Sequence, residues 1–143
     1  MGSSTEESAG GDLDIGNIAA MSSTVVLVVD DDPVILKLLA VNFELEGYEV
    51  CSASHGAEAL EVVRQQRPDV VVSDIMMPVM SGIDLVTAMK IDPDLAAIPV
   101  LLLSAKAQAA DIRAGLDAGA ADYVTKPFEP LDLVSRVEAV LNR

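Results

Sequence analysis

The chain has 143 residues, which suits one domain of ordinary size. Apolar residues make up 51% of it, enough to build a core. The net charge of −14 argues against nucleic-acid binding by this domain, because an acidic surface repels phosphate backbones. No apolar run approaches the roughly 20 residues of a membrane span, and the N-terminus lacks the features of a signal peptide. We therefore expect a soluble, cytoplasmic protein with no membrane contact.

The first segment, residues 1–23, differs in composition from the rest of the chain. It is rich in Gly, Ser and Ala, carries four acids and no Lys or Arg, and has no sustained apolar period. This composition predicts a disordered acidic tail or linker. Residues 24–143 are then expected to form the one folded domain. Its single cysteine, Cys51, lies in an apolar segment and has no partner for an internal disulfide, so we expect a buried, inert thiol.

From Thr24 onward, strand and helix patterns alternate five times. The continuously apolar, β-branched run at 25–29 predicts a strand buried on both faces. Further strands are predicted at 49–53, 70–73, 100–103 and 122–125. Amphipathic segments between and after them predict helices at 33–47, 55–67, 82–90, 107–118 and 129–142. Five such units with short loops predict a parallel sheet covered by helices on both sides.

Local residues predict where helices start and which face each one buries. Asp32 before Pro33 predicts an N-cap followed by the first helical position. We expect His55 to cap or flank the second helix. Helical spacing predicts inward-facing residues in chain order: Ile35, Leu38, Leu39, Leu45, Leu60, Val63, Ile83, Val86, Met89, Ile112, Leu116, Leu131, Val134, Val137 and Leu141.

Polar residues follow four of the five predicted strands at the point where each ends. They are Asp30, Asp31 and Asp32 after the first, Asp74 after the third, Ser104 after the fourth, and Lys126 with Pro127 after the fifth. In an open parallel α/β sheet the carboxyl ends of the strands line the ligand crevice. The sequence therefore predicts several carboxylates, a hydroxyl and an ammonium at one edge, where a phosphoryl group and a divalent metal would need them.

These residues belong to four motifs spread over residues 24–143. The motifs are Val-Val-Asp30-Asp31-Asp32-Pro, Val-Ser-Asp74-Ile-Met-Met-Pro78-x-x-x-Gly82, Leu-Leu-Ser104-Ala-Lys and Asp-Tyr123-Val-Thr-Lys126-Pro127-Phe. In this order and spacing they resemble the receiver domain of two-component response regulators. The resemblance implies a flavodoxin-like (βα)5 three-layer sandwich, with a five-stranded parallel sheet of order 2-1-3-4-5.

The resemblance also implies a role for each acid. Asp74 would be the phosphoacceptor, since a carboxylate that attacks a phosphoryl donor forms an acyl phosphate. Asp30, Asp31 and Asp74, with the backbone carbonyl of Met76, would hold Mg²⁺, for which Mn²⁺ is a substitute. Oxygen ligands suit Mg²⁺, and like charges about 4 Å apart cost roughly 1 to 4 kcal/mol that a metal removes. Capping alone accounts for Asp32.

The remaining motif residues would stabilise and transmit the modification. In the family Lys126 contacts a phosphoryl oxygen and its peptide bond to Pro127 is cis; taken alone, Lys126 is a solvated lysine at a strand end. Ser104 would donate its hydroxyl to the phosphoryl group. Tyr123 matches the switch aromatic, whose inward turn rearranges the surface of helix 4, strand 5 and helix 5; taken alone, it is a half-exposed strand aromatic. We expect Gly82 to permit a turn with unusual dihedral angles.

The implied partners are a sensor histidine kinase or a histidine phosphotransfer protein, and a downstream protein bound through the helix 4, strand 5, helix 5 surface. A phosphorylation-dependent dimer is compatible with this. The chain is either a stand-alone regulator or a receiver from a larger protein. We expect self-phosphorylation and autodephosphorylation but no turnover of an external substrate, because an aspartyl phosphatase needs a second acid where Met76 stands. A nucleotide-binding turn would need glycines where three carboxylates and Pro33 occur.

Overall fold

The computed structural model describes residues 24–143. The predicted acidic tail at 1–23 lies outside the described residues. Every predicted strand and helix is present. The strands are β1 (Val25–Val29), β2 (Glu49–Ala53), β3 (Val70–Asp74), β4 (Val100–Ser104) and β5 (Asp122–Thr125). The helices are α1 (Pro33–Leu45), α2 (Gly56–Gln66), α3 (Gly82–Lys90), α4 (Ala109–Asp117) and α5 (Pro130–Leu141). Within the described part of the chain, no helix is long and apolar enough to cross a membrane.

The five strands form one parallel sheet in the order β2-β1-β3-β4-β5. This confirms the flavodoxin-like arrangement that the resemblance implied. The strand order reverses between β1 and β3, and that reversal is where open α/β sheets bind ligands. The register pairs Val29 with Ser73, so the residues that follow, Asp30 and Asp74, leave neighbouring strands at the same level.

Two apolar cores lie on opposite faces of the sheet, because successive strand residues point to opposite sides. On one face, Leu27 and Val29 pack with residues of α2, α3 and α4. On the other, Val26 and Val28 pack with α1 and α5. The first strand, β1, is buried on both faces as predicted, and so are β3 and β4. The edge strand β2 is partly exposed, and its Cys51 is only partly buried. Burial, the largest influence, raises the pKa of its thiol, in keeping with an inert cysteine.

The predicted helix caps are present. Asp32 accepts a hydrogen bond from the backbone N–H of Val34 at 2.9 Å, at the start of α1. His55 caps α2 by accepting from the N–H of Glu58 through Nδ1 at 3.2 Å. Glu58 in turn accepts from the backbone N–H and the hydroxyl of Ser54. His55 therefore has a local structural role, as expected.

The predicted inward face of α1 is wrong in part. Leu39 and Phe43 are the buried residues of this helix, whereas Leu38 and Leu45 are 43% and 77% exposed. Almost every residue of α1 is apolar, so helical spacing alone is compatible with more than one stripe. Contact with the sheet selects the stripe that includes Phe43.

Two other predicted core residues are exposed. Leu131 at the start of α5 is 71% exposed, and Leu133 is buried in its place. Leu116 of α4 is 44% exposed, and Gly115 is the buried residue of that helix. In both helices, the face that packs against the sheet is shifted by one or two residues from the predicted face.

Candidate functional site

Three carboxylates meet at the carboxyl ends of β1 and β3. One oxygen from each of Asp30, Asp31 and Asp74 lies within 4.8 Å of the others. Asp30 and Asp74 are 1% and 5% exposed, while Asp31 is open to solvent. Burial of two carboxylates beside a third is unfavourable unless cations compensate their charge. The cluster therefore has the composition and the partial exposure of a divalent-cation site.

Lys126 supplies one such cation from the end of β5. Its Nζ donates a hydrogen bond to Oδ1 of Asp74 at 2.8 Å and lies 3.6 Å from Oδ2 of Asp30. Burial by itself lowers the pKa of Lys126, but Asp74 and Asp30 together outweigh it and the pKa is raised. The lysine is thus a fixed positive charge between two buried acids. The peptide bond from Lys126 to Pro127 is cis, as predicted.

Asp30 still has an unsatisfied oxygen. Its Oδ1 accepts the backbone N–H of Asp32 at 2.9 Å, but no hydrogen bond reaches Oδ2, since Lys126 is beyond hydrogen-bond distance from it. Burial is the main cause of a raised pKa at Asp30, with the charges of Asp74 and Asp31 adding to it. A buried carboxylate oxygen that accepts no hydrogen bond fits a bound cation. The residues present therefore fit Mg²⁺, which takes oxygen ligands.

Ser104 ends β4 beside these acids. Asp74 pairs with Leu103 across the sheet, so Ser104 lies one residue further toward the same edge. Its side chain is fully buried and its Oγ accepts the backbone N–H of Lys106 at 3.0 Å. Because the hydroxyl is used there as an acceptor, its own proton is free to donate to a group at the site.

Tyr123 is buried on the inner side of α4. This excludes the alternative interpretation of Tyr123 as a half-exposed aromatic on a strand. It is 7% exposed, and its hydroxyl donates to the backbone carbonyl of Lys106 at 2.8 Å. A Cβ on Gly115 would lie 2.9 Å from its ring, so the glycine makes room for it. Ser104 and Tyr123 thus contact the same residue, Lys106, through its N–H and its carbonyl. Sequence reasoning missed this link, since backbone contacts leave no pattern in the sequence.

The β3–α3 loop, residues 75–81, follows Asp74 directly in the chain. The side chain of Met76 is 56% exposed, and the N–H groups of Met77 and Gly82 both donate to the carbonyl of Ile75, not to that of Met76. The metal-binding role of the Met76 carbonyl stays a prediction. Val79 at the tip of the loop is fully exposed and has a φ of 69°, in the left-handed region that β-branched residues rarely adopt.

The expectation for Gly82 is wrong in its reason. Among the described glycines, positive φ angles occur at Gly47 and Gly119 and not at Gly82. A Cβ at Gly82 would instead collide with the backbone carbonyl oxygen of Asp74 and lie 3.0 Å from Cα of Ile75. Glycine is required here because the start of α3 passes directly against the end of β3.

This geometry defines a class of protein: a flavodoxin-like α/β domain whose site lies where the strand order reverses. The site consists of clustered carboxylates and one lysine. The family model described as the response regulator receiver domain matches residues 26–138. The chain belongs to this family and is the receiver domain of a two-component response regulator. Receiver domains bind Mg²⁺ at an acidic pocket, and a cluster of three acids is present here.

Similar proteins of known class support this membership. The transcriptional regulatory protein PrrA of Mycobacterium tuberculosis is 48% identical over 124 residues, which cover 86% of this chain and 52% of PrrA. The DNA-binding response regulator MtrA of Mycolicibacterium smegmatis is 42% identical over 118 residues, covering 82% of this chain and 50% of MtrA. The chain therefore spans about half the length of these relatives.

Solved structures match over nearly their full length. A putative response regulator from Chloroflexus aurantiacus has a TM-score of 0.81 at 36% identity, covering 85% of this chain and 99% of its own. The chemotaxis response regulator CheY4 of Vibrio cholerae has a TM-score of 0.78 at 33% identity, covering 82% and 98%. The fold of residues 24–143 therefore matches nearly the whole of each of these two solved response-regulator chains.

Proposed function

We propose that Asp74 accepts a phosphoryl group from the phosphohistidine of a sensor histidine kinase or of a histidine phosphotransfer protein. A carboxylate oxygen of Asp74 forms the bond to phosphorus while the bond from phosphorus to the imidazole nitrogen breaks. The electron pair of the broken bond stays on that nitrogen, which takes up a proton from water as the imidazole leaves. The observation that supports this most is the 2.8 Å contact of Lys126 with Oδ1 of Asp74. No hydrogen bond from the described residues engages Oδ2, which is free to act as the nucleophile.

The same site would hold Mg²⁺, or Mn²⁺ in its place, through Asp30, Asp31, Asp74 and the Met76 carbonyl. When bound, the metal neutralises charge on the phosphoryl oxygens and on the clustered carboxylates. The Oδ2 of Asp30, which accepts no hydrogen bond, supports this assignment. Transfer of a phosphoryl group depends mainly on positioning and charge neutralisation, so few catalytic side chains are needed.

Lys126 and Ser104 complete the binding of the modified aspartate. The ammonium of Lys126, now hydrogen-bonded to Asp74, pairs with a phosphoryl oxygen as a point charge. The Ser104 hydroxyl, whose proton is free, donates to another. We expect no turnover of an external substrate, only phosphorylation of the chain and its autodephosphorylation, and we expect this to occur in the cytoplasm.

The response to phosphorylation would run through Lys106. Movement of Ser104 toward the phosphoryl group displaces the N–H of Lys106, whose carbonyl holds Tyr123. The surface of α4, β5 and α5 then changes, and a downstream protein or a second phosphorylated copy binds it. A shift from 1:99 to 99:1 needs about 5.5 kcal/mol of differential binding. The domain controls a longer regulator like its relatives or acts alone; both arrangements use the same chemistry.

The proposal is tested with acetyl phosphate or phosphoramidate and Mg²⁺, followed by intact mass. One adduct of about 80 Da is expected, since one phosphoryl group is added. It should be lost in Asp74→Asn and in EDTA, and retained in Asp117→Asn, a control aspartate exposed on α4. An adduct that survives in Asp74→Asn would overturn the assignment. Sustained hydrolysis of a generic phosphate ester would favour a phosphatase.

A further inference from the structure

Ser73 is a polar residue inside an otherwise apolar stretch of β3. It follows Val70, Val71 and Val72 and is fully buried, as they are. Successive residues of a strand point to opposite faces of the sheet, so Ser73 shares a face with Val71. That face carries the apolar core formed with α2, α3 and α4. A hydroxyl buried there is unfavourable unless it forms a hydrogen bond.

The hydroxyl of Ser73 forms its hydrogen bond with the backbone of the phosphoacceptor. Its Oγ donates to the backbone carbonyl of Asp74 at 2.9 Å, and this hydrogen bond is buried. The two side chains leave β3 on opposite faces of the sheet, so the contact is with the carbonyl of Asp74 and not with its carboxylate. A small apolar residue would fill the same space without a buried hydroxyl. The hydrogen bond is therefore what serine adds at this position.

The peptide unit between Asp74 and Ile75 is held at both of its polar ends. Its carbonyl accepts the hydrogen bond from Ser73, and its N–H donates to the carbonyl of Leu103 at 2.9 Å. A peptide unit is planar, so hydrogen bonds at its two ends fix how the whole unit is turned. They thereby fix the ψ angle of Asp74 and the direction in which the chain continues.

The carbonyl of Asp74 also lies against the start of α3. A Cβ on Gly82 would collide with its oxygen, and the N–H of Gly82 donates to the next carbonyl, that of Ile75, at 3.0 Å. The oxygen is therefore enclosed between the Ser73 hydroxyl and the backbone of α3. If the hydroxyl is removed, this peptide unit loses one of its two fixed ends. We expect it to turn and to move the β3–α3 loop, which includes Met76.

We propose that Ser73 is a positioning residue for phosphorylation of Asp74. By holding the carbonyl of Asp74, its hydroxyl sets the direction of the Asp74 side chain, whose Oδ1 lies 2.8 Å from Nζ of Lys126. It also sets the path of the loop that carries the backbone carbonyl of Met76. The role rests on the proposed function, since it concerns the reaction at Asp74. Ser73 acts through the backbone and does not touch the reacting atoms.

Two variants of the same shape isolate the effect of the hydroxyl. Ser73→Thr and Ser73→Val place side chains of equal size in the same space, and both residues suit a strand. Threonine keeps the hydroxyl and valine lacks it. With phosphoramidate and saturating Mg²⁺, the rate constant for adduct formation should be about tenfold lower in Ser73→Val than in Ser73→Thr, because small displacements of a reacting group slow a reaction strongly. Ser73→Ala, which adds no bulk, should be slower than wild type by a similar factor.

Val71→Ala separates a loss of position from a loss of stability. Val71 lies on the same strand and face as Ser73 and is also fully buried. Its truncation should lower the urea midpoint at least as much as Ser73→Ala does, because it leaves a cavity in the core. The rate constant for adduct formation should nevertheless stay at the wild-type value. A smaller folded fraction lowers the amount of adduct, whereas a misplaced carboxylate lowers the rate constant of the folded protein.

NMR of the unphosphorylated domain tests the structural premise without any reaction. The amide signals of Ile75 and Gly82 should shift in Ser73→Val relative to Ser73→Thr, because both N–H groups belong to peptide units at the turn that the hydroxyl holds. Unchanged amide signals would show that the carbonyl of Asp74 keeps its position without the hydroxyl, and they would overturn the proposal.

Two kinetic outcomes would also overturn the proposal. One is an equal rate constant in Ser73→Thr and Ser73→Val, with wild-type phosphorylation intact, which would remove only the role of Ser73. The other is a rate constant lowered as much by Val71→Ala as by Ser73→Ala, which would leave general packing as the cause. Failure of the wild type itself to form the adduct is a different result, because it would end the proposed function and this role together.

Discussion

The buried carboxylate of Asp30 is unfavourable for folding, and a role in cation binding explains its presence. The carboxylate is 1% exposed, burial raises its pKa, and one of its oxygens has no hydrogen bond. Such a group disfavours the metal-free fold whenever it is ionised. A bound cation removes that cost by supplying charge and a ligand for the free oxygen. Stability and cation affinity at this residue are therefore expected to oppose each other.

Asp30→Asn should raise the free energy of unfolding of the metal-free domain by about 1 kcal/mol near pH 7, because it removes a buried negative charge. The raised pKa means that the folded state holds this proton more tightly than the unfolded state. The destabilisation of the wild-type protein by the ionised Asp30 carboxylate is therefore absent below the pKa of the unfolded state. It grows as pH rises toward the pKa of the folded state and is complete above it. Urea unfolding of both proteins across this range, in EDTA, measures the difference.

The same substitution should weaken Mg²⁺ binding by about tenfold or more, since a ligand charge is lost. Asp117→Asn, on exposed α4, controls for the general loss of one negative charge. A metal-free Asp30→Asn protein less stable than wild type would show that the ion pair with Lys126 outweighs desolvation at this residue.

At the scale of elements, the site depends on how closely α3 follows β3. The first residue of α3, Gly82, passes against the backbone carbonyl of Asp74, with no space for a side chain. The short loop between them therefore adopts a defined path, and it includes Met76 and the exposed Val79. The position of the phosphoacceptor and the start of a helix are coupled by this one contact.

Gly82→Ala should destabilise the domain by about 2 to 4 kcal/mol, because its Cβ forces α3 away from β3. It should also slow phosphorylation of Asp74, as the loop shifts. Gly47→Ala is the control: its φ is 93°, but nothing lies within 4 Å of the added Cβ. That variant should cost only about 1 kcal/mol of backbone strain and leave phosphorylation unchanged.

Denaturant unfolding and the rate of adduct formation from acetyl phosphate measure the two glycine variants side by side. Equal losses of stability and rate in both would mean that backbone freedom, and not close approach, is what Gly82 provides.

At the scale of the whole molecule, the net charge of −14 sets how the domain responds to ions. Self-repulsion disfavours the compact state, so any salt stabilises it to some degree by screening. Specific binding at the three-carboxylate site adds a term that depends on the cation and its concentration. The two contributions can be separated because only the second requires the ligands.

Mg²⁺ at about ten times its Kd should stabilise the domain by roughly 1.4 kcal/mol beyond NaCl of equal ionic strength. Thermal unfolding of wild type and Asp31→Asn in both salts measures this. The variant should respond equally to the two salts, because an exposed carboxylate of the cluster is removed. If Mg²⁺ and NaCl stabilised the wild type equally, screening of charge would account for the whole stabilisation.

The sequence by itself was sufficient for the order and type of the elements in residues 24–143, because buried β-branched runs and caps such as Asp32 are local features. Its motifs also identified the receiver domain, and with it the flavodoxin-like strand order. Local spacing did not decide the buried face of α1, where apolar residues occupy nearly every position. Contact with the sheet decided that, and it left Leu38 and Leu45 exposed.

The tertiary structure alone decided the contacts that give the site its chemistry. The Asp30 oxygen that accepts no hydrogen bond, the shared contact of Ser104 and Tyr123 with Lys106, and the need for glycine at position 82 all involve backbone atoms or residues distant in the chain. Sequence patterns record local preference, since hydrophobic period and capping act within a few residues. Burial, charge compensation and close approach depend on which elements meet, and these are properties of the folded chain.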